Sequence, residues 1–454
     1  MILIMKNTIT KIVCVMVFAL FAGETDASTN DSIRKDTSRP WSFHFQMTSI
    51  YQYHGYFHAP YSGHNSLQDT IEQDMSITST FFLGRRLWKY GSVYVNPEIS
   101  GGKGFSGTTG IAAFPNGEIY RVGNPTPQPY FARAYLQQSF ALPGSKEVFI
   151  ADDQNQVNQF LPDKRITLSA GKFSLGDFYD QNIYSHDPRT QFMNWVLMDN
   201  GAWDYPANTR GYTYAFVAQV ITPKWYLTLS DALEPVYANG PDLDWNVSKS
   251  FGATIETGYN YKVNDRDGGF SVLLYLNQNR AGNYENAIAN YNAGSVNALH
   301  IDSLSAYNGN KKYGVGVNWN HPIGKYVGIF MRAGWNDGKT GTWAFTEVDQ
   351  TFTPGISING GMWQRKKDTF GAAFIVDGLS KEHRDFENAG GYQFIIGDGQ
   401  LEHYSAEEVF ETYYQTVLFD HLALALDYQY VQNPGYNADR GPVSVGSIRV
   451  HVEF

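Results

Sequence analysis

The chain is nearly devoid of cysteine: Cys14 is the only one in 454 residues, and it lies in an apolar N-terminal segment. A disulfide framework, a thiolate nucleophile and a cysteine metal centre are therefore excluded for the rest of the protein. After that segment there is no run of 18 or more apolar residues, so no transmembrane helix is expected. Helix-period segments of any length are missing too. Positive charge is not in excess, since the formal net charge is −10, which argues against a nucleic-acid partner. No Gly-rich phosphate loop, G-x-S-x-G motif or Ser-His-Asp order is found, so no catalytic residue and no cofactor is expected.

The N-terminus reads as a signal for export. Lys6 and Lys11 precede the apolar stretch Ile12 to Ala22, and Thr25-Asp26-Ala27 offers a cleavage site before Ser28. Residues 1–27 are thus expected to be a secretory signal peptide. The apolar stretch is too short to cross a hydrocarbon core of about 30 Å. Residues 28–40 are polar, end in Pro40 and read as a periplasmic leader. Residues 41–454 remain for the folded domain.

Aromatic residues are abundant, with 31 Tyr, 29 Phe and 10 Trp beside 44 Gly. Such a surplus suits a transmembrane barrel, where Tyr and Trp sit at the two lipid–water boundaries. Period-two alternation is the dominant pattern. It runs through Trp41, Phe43, Phe45, Met47; Ile166, Leu168, Ala170; and Trp225, Leu227, Leu229. It recurs in Tyr313, Val315, Val317, Trp319; Val327, Ile329, Met331, Ala333, Trp335; and Leu422, Leu424, Leu426, Tyr428, Tyr430. Small or polar residues occupy the other phase, as a strand between two different environments requires. Short links at residues 263–269, 321–325 and 419–421 read as periplasmic turns. Longer Gly-, Asn- and Asp-rich stretches at 54–73, 101–129, 176–211, 281–310 and 378–407 are assigned to the outside or the lumen.

The C-terminal strand places Ile448, Val450, Val452 and the terminal Phe454 in one phase. A terminal aromatic of this kind resembles the signal that outer-membrane barrels present to their assembly machinery. Removal of residues 1–27 leaves about 427 of the 454 residues. At roughly 25 residues per strand with its share of turns and loops, this gives about 16 strands, with 18 possible. The expected fold is all-β: a transmembrane, antiparallel, up-and-down barrel wide enough to hold an aqueous channel.

Three blocks carry a family resemblance. Residues 171–212 contain G-K-F, D-F-x-D, H-D-P-R-T-Q-F-x-N and D-N-G-A-W-D-Y-P-A-x-T-R-G-Y. Residues 411–445 end in N-P-x-Y-N-x-D-R-G-P-V, and residues 80–107 together with FPNGE at 114–118 form the third block. These resemble the carbohydrate-selective porins of the OprB type across nearly the whole mature chain. The resemblance implies an outer-membrane barrel of 16 strands in a Gram-negative bacterium. Monosaccharides and related small sugars would diffuse through a pore narrowed by inward loops lined with charged and aromatic residues. The expected partners are such sugars as permeants, outer-membrane lipid, and the barrel assembly machinery through Phe454.

The candidate substrate path lies mainly in one block. Asp177, Asp180, Asp187, Arg189, Trp195, Asp199, Trp203, Asp204 and Arg210 combine carboxylates, Arg forks and aromatic faces, the groups that suit sugar hydroxyls and pyranose rings. The same residues would equally suit a loop that pairs its own charges. On the strands, Arg133 and Arg332 join this path, because charge in mid-strand must face the lumen. Arg or Lys on the lipid face costs about 2–4 kcal/mol near the midplane. Tyr135, Gln137, Lys172, Glu98, Asp427 and Arg449 share that lumen phase. His54, His58 and His64 stand in a loop without a completing acid cluster, so no metal site is expected there. The pairs Asp177/Asp180 and Asp199/Asp204 invite a glycosidase reading, but in a chain this rich in acids chance pairing is expected. The functional alternatives are a general or anion-preferring porin, or a barrel-borne glycan-binding protein or enzyme. Ion selectivity separates the first, and turnover of oligosaccharide the second.

Overall fold

The computed structural model describes residues 39–121, 126–301, 309–399 and 401–454. The expected signal peptide and most of the expected leader lie outside the described residues. The first strand, β1, begins at Trp41.

Sixteen antiparallel strands close into a barrel. They are β1 (Trp41–His54), β2 (Glu72–Trp88), β3 (Gly91–Gly102), β4 (Gln128–Ala141) and β7 (Arg165–Phe173). Then come β8 (Thr213–Ile221), β9 (Trp225–Ala232), β10 (Phe251–Val263), β11 (Arg266–Asn279), β12 (Asn310–Ile323) and β13 (Val327–Asn336). The circle ends with β14 (Gln350–Asn359), β15 (Thr369–Gly378), β16 (Glu407–Phe419), β17 (Leu422–Gln432) and β18 (Val443–Glu453). Closure pairs β1 with β18 in the register Met47↔Val452 and Tyr51↔Ile448. Phe45 and Phe454 exchange both backbone hydrogen bonds, at 3.0 and 2.8 Å, so the last residue completes the seam.

Each of the six alternating segments turns its apolar phase outward. In β7 that phase includes Lys172, which pairs with the exposed Ala134 and Tyr214 and so does not share the lumen phase expected of it. In β18, Ile448 is exposed while Ser447, Arg449 and His451 are buried. In β13, Phe330 and Arg332 are buried inward and Trp335 is exposed. The exposed band of Trp41, Phe43, Phe81, Trp225, Leu229, Leu274 and Leu426 is the surface that lipid requires.

Tight turns gather at the end that carries Trp41 and Phe454. The turn between β10 and β11 is only two residues, Asn264 and Asp265, both with positive φ (50° and 63°). This matches the twist of a hairpin, and such residues tolerate it. The strands therefore run further into residues 263–269 than the sequence suggests. The same holds at 321–325, where β12 continues to Ile323.

One connection at that end is long. Residues 142–164 contain a separate hairpin of β5 (Glu147–Ile150) and β6 (Gln159–Pro162), outside the barrel circle. Its tip enters the lumen: Gln154 donates to Gln46 and Glu453, Asn96 donates to Asn155, and Val157 packs within the interior core. Both strands are four residues long, too short to show a period. They bring the strands among the described residues to 18, while the barrel itself has 16.

The opposite end carries long loops. Two contain short helices that no hydrophobic period announced: Tyr284–Asn292, capped by Asn283, and Lys381–Asn388, capped by Ser380. The hydrophobic core lies inside the barrel, where residues 103–121, 174–212 and 337–349 pack together. Phe105, Phe114, Phe192, Val196, Trp203 and Trp343 are all buried there. Wall glycines permit the approach. A Cβ at Gly334 would stand 2.0 Å from Asn200 Oδ1, and one at Gly328 would stand 2.1 Å from the Tyr184 ring.

Candidate functional site

The loop from Ser174 to Tyr212 leaves β7, crosses the lumen and returns at β8. It is held to the wall by carboxylates that accept from successive backbone N–H groups. Glu411 on β16 accepts from Met193 and Asn194 at 2.5 and 3.1 Å, and Glu256 on β10 accepts from Asp180 at 2.9 Å. The neighbouring loop is gripped similarly: Glu407 accepts from Ala112 and Ala113 at 3.1 and 2.7 Å. Hydrogen bonds to charged acceptors are worth about 1.5–3 kcal/mol.

Two cavities flank the tip of this loop and the tip of the 142–164 hairpin. The narrower is about 380 Å³, and the wider, toward the short-turn end, is about 920 Å³. Gln154, Asn155, Asp177 and His186 line both.

Seven of the eleven sequence-selected residues line the narrow cavity: Arg133, Asp177, Asp187, Arg189, Trp195, Asp199 and Arg210. Their engagements differ. Arg133 forms a two-pronged pair with Asp177 at 2.7 and 2.5 Å. Arg189 donates to Glu118 at 2.9 Å and also reaches Glu98 at 3.5 Å. Asp187 accepts from the Arg189 backbone and the Thr190 hydroxyl, at 3.0 and 2.7 Å. Its carboxyl is held below the usual range: burial pushes it up, but the Arg189 charge and these hydrogen bonds outweigh that. Trp195 donates its indole N–H to the Asn116 carbonyl at 2.8 Å. Burial pushes the Asp199 carboxyl up to about 6, against the pull of His186, 3.7 Å away.

Arg210 stands apart. Its guanidinium carbon lies 3.9 Å from the centre of the Tyr130 ring and 5.2 Å from that of Tyr120. Its Nη1 is buried without a hydrogen-bond partner among the described residues. Tyr130 itself donates to Glu98, as does Tyr212 at 3.2 Å. Two aromatic faces, a carboxylate hub and an unpaired Arg fork thus meet in one narrow space.

The other four selected residues do not line it. Arg332 is fully buried and spans Asp180 (2.7 Å), the Ser185 carbonyl (2.6 Å) and the Leu197 carbonyl (3.0 Å). Asp180 also accepts from Asn200 N and Asn318 Nδ2, both at 2.8 Å. Asp204 accepts from the backbones of Trp343, Ala344 and Phe345 at 2.8, 2.8 and 3.2 Å. Trp203 packs edge-on against Tyr179 at 5.7 Å. These four fasten the loop, because a buried charge persists only when paired or hydrogen-bonded.

Several lining residues were not selected from the sequence: Glu118, Tyr120, Tyr130, His186 and Tyr212. Glu118 closes the FPNGE motif and His186 opens H-D-P-R, so the motifs pointed to both. Tyr212 closes the T-R-G-Y motif, whereas Tyr120 and Tyr130 carried no signal, since only folding brings them beside the 174–212 loop. His54 bonds Glu72 at 3.1 Å beneath Phe105, while His64 stacks on Tyr392 at 4.1 Å.

A closed 16-stranded barrel with an apolar outer band and a polar, loop-narrowed lumen defines an outer-membrane channel protein. The family model described as "Carbohydrate-selective porin, OprB family" matches residues 83–454. The chain belongs to that family, and it is accordingly a carbohydrate porin of a Gram-negative outer membrane. Its fold is similar to the high-pH structure of Pseudomonas putida OprB, with a TM-score of 0.65 and 15% identity over 91% of this chain and 94% of that one. The low-pH structure of the same protein aligns over 91% and 93% with a TM-score of 0.48 and 11% identity. No curated protein sequence matches the chain.

Proposed function

We propose that the narrow cavity is the selective step for neutral monosaccharides, and that Arg210 is the residue that recognises their hydroxyls. The supporting observation is the unpaired Nη1 of Arg210, stacked on Tyr130 in a cavity where Arg133 and Arg189 are held in ion pairs. Arg carries five donors and no acceptor, which suits adjacent hydroxyl oxygens. Because Arg133 and Arg189 are paired with Asp177 and Glu118, they orient the wall without presenting a strong net field. A sugar would exchange protein for water at about 1 kcal/mol per hydrogen bond, weak enough for release.

Arg210→Ala in folded protein is expected to weaken sugar block of ion current several-fold and to shift selectivity toward cations. Unchanged block and selectivity would reduce Arg210 to a structural role. A strong anion preference in the unaltered protein would favour the anion-porin alternative.

Transport is passive on this reading, and the barrel turns over no glycoside, since the cavity carboxylates serve as ion-pair and hydrogen-bond partners. Residues 1–27 export the chain as a cleaved signal peptide, and 28–40 form a periplasmic leader. The exposed aromatic band meets outer-membrane lipid. Phe454 presents the end of β18 to the assembly machinery. Deleting it is expected to leave unfolded protein in the periplasm, read as loss of the heat-modifiable band; a normal barrel from that variant would exclude the role.

A further inference from the structure

A second polar cluster lies away from the pore, among the external loops. His383 sits on the helix Lys381–Asn388 and is fully buried. Its Nδ1 is 2.9 Å from Asp349 Oδ2. The other ring nitrogen, Nε2, is 3.0 Å from the Gln393 amide nitrogen, which can only donate. With Gln393 donating, Nε2 carries a lone pair and Nδ1 carries the proton. A carboxylate holding the proton on Nδ1, which leaves Nε2 as the ligand atom, is the arrangement seen behind metal-binding histidines.

Glu387 follows one turn later. Its Oε1 lies 3.5 Å from His383 Nε2 and accepts no hydrogen bond from any described residue. With Nε2 unprotonated, this carboxylate oxygen faces the ring nitrogen without a donor of its own. Two donors held by a tetrahedral zinc ion, each about 2.1 Å from it, stand about 3.4 Å apart. Glu347 completes the group: one ligand atom from each of Glu347, His383 and Glu387 lies within 4.8 Å of the other two.

All three are buried, so water does not offset their charge. Gln393 Oε1 is also buried without a partner among the described residues. With an ion on Nε2 and Asp349 alone holding the proton on Nδ1, turning this amide over would bring the oxygen to the position beside Nε2, where it accepts from the Tyr284 hydroxyl, now 2.7 Å from the nitrogen, and offers a fourth ligand. Asp349 adds a further carboxylate behind the ring, and Lys312 also acts on it.

We propose that Glu347, His383 and Glu387 bind one zinc ion in the external loops, with Asp349 as the positioning residue that fixes the His383 ring. Glu347 already accepts from the backbones of Ile395 and Ile396, at 2.7 and 3.2 Å. The ion would therefore tie the helix, the 337–349 loop and the 395–396 segment together over the mouth of the barrel. The ligand set is one imidazole and oxygen donors, within the range zinc accepts.

The test uses the full mature barrel in detergent, stripped with chelator and reloaded with zinc. One zinc per chain is expected by elemental analysis, with zinc-dependent protection of residues 381–396 from hydrogen exchange. Glu387→Gln keeps the volume and is expected to lose stoichiometric zinc while retaining the heat-modifiable barrel. Asp349→Asn is expected to weaken zinc binding by about 10- to 100-fold. His64→Ala, at an exposed histidine, is expected to change nothing. Absence of stoichiometric zinc in the unaltered protein overturns the site. So does zinc that survives Glu387→Gln, or zinc lost only in His64→Ala.

Discussion

The barrel wall and the loop packed inside it solve the same problem in opposite ways. The wall exposes its apolar side, as Ile448 and Leu426 do, and turns Arg449 and Asp427 inward. The 174–212 loop buries Phe192, Val196 and Trp203 in the interior core and presents Arg133-paired Asp177 to the passage. In the wall, backbone hydrogen bonds are satisfied by neighbouring strands. In the loop they are satisfied by carboxylates such as Glu411 and Asp204. The difference teaches that an acid in this lumen is as often a fastener as a permeant contact. Arg449 makes the point: it is fully buried and donates to the Pro188 and Gln191 carbonyls at 2.7 and 2.6 Å, holding the loop instead of facing a sugar.

Two adjacent residues of β13 test this contrast most severely. Met331→Arg puts a charge on the lipid face and is expected to block insertion, at a cost of about 2–4 kcal/mol near the midplane. Phe330→Arg is expected to insert. However, Phe330 packs on Phe192 at 5.5 Å, so the charge would unseat the loop and raise conductance. Heat-modifiability on gels and single-channel recording separate the two outcomes. Equal insertion defects would mean that the wall and the lumen do not differ as described.

A smaller effect is expected from Glu411→Ala. The barrel should assemble, but Met193 and Asn194 lose their acceptor, at about 1–3 kcal/mol for each buried N–H left unpaired. Larger, noisier conductance with unchanged folding is the expected record. Unaltered conductance would show that the apolar core holds the loop without its clamps.

The smallest effect concerns pH. Burial raises the Asp199 carboxyl to about 6, so this carboxylate is ionised above that value and neutral below it. Lowering the pH through 6 removes one negative charge from the narrow cavity and is expected to shift ion selectivity toward anions. Reversal-potential measurements on the unaltered protein and on Asp199→Asn decide the point. A shift of equal size in the variant would assign the titration to another group.

Much of the wall was legible because period two records a strand with lipid on one side and water on the other. That is why Val327–Trp335 could be phased residue by residue. The hairpin 147–162 was not legible, since four-residue strands carry too little pattern. Within the loop, residue types were informative but roles were not. Arg210 and Arg332 look alike in sequence. Only in the fold does one stack unpaired on Tyr130 while the other is enclosed by Asp180, Ser185 and Leu197.

By itself, then, the sequence determined the barrel, its inside and outside, and its family, because these follow from local alternation and from contiguous motifs. The tertiary structure alone decided which charges face the passage and which fasten the loop. A charge takes its role from the partners within hydrogen-bond reach, and in this protein those partners are typically dozens to hundreds of residues away along the chain, as with Asp204 and Trp343 or Glu411 and Met193.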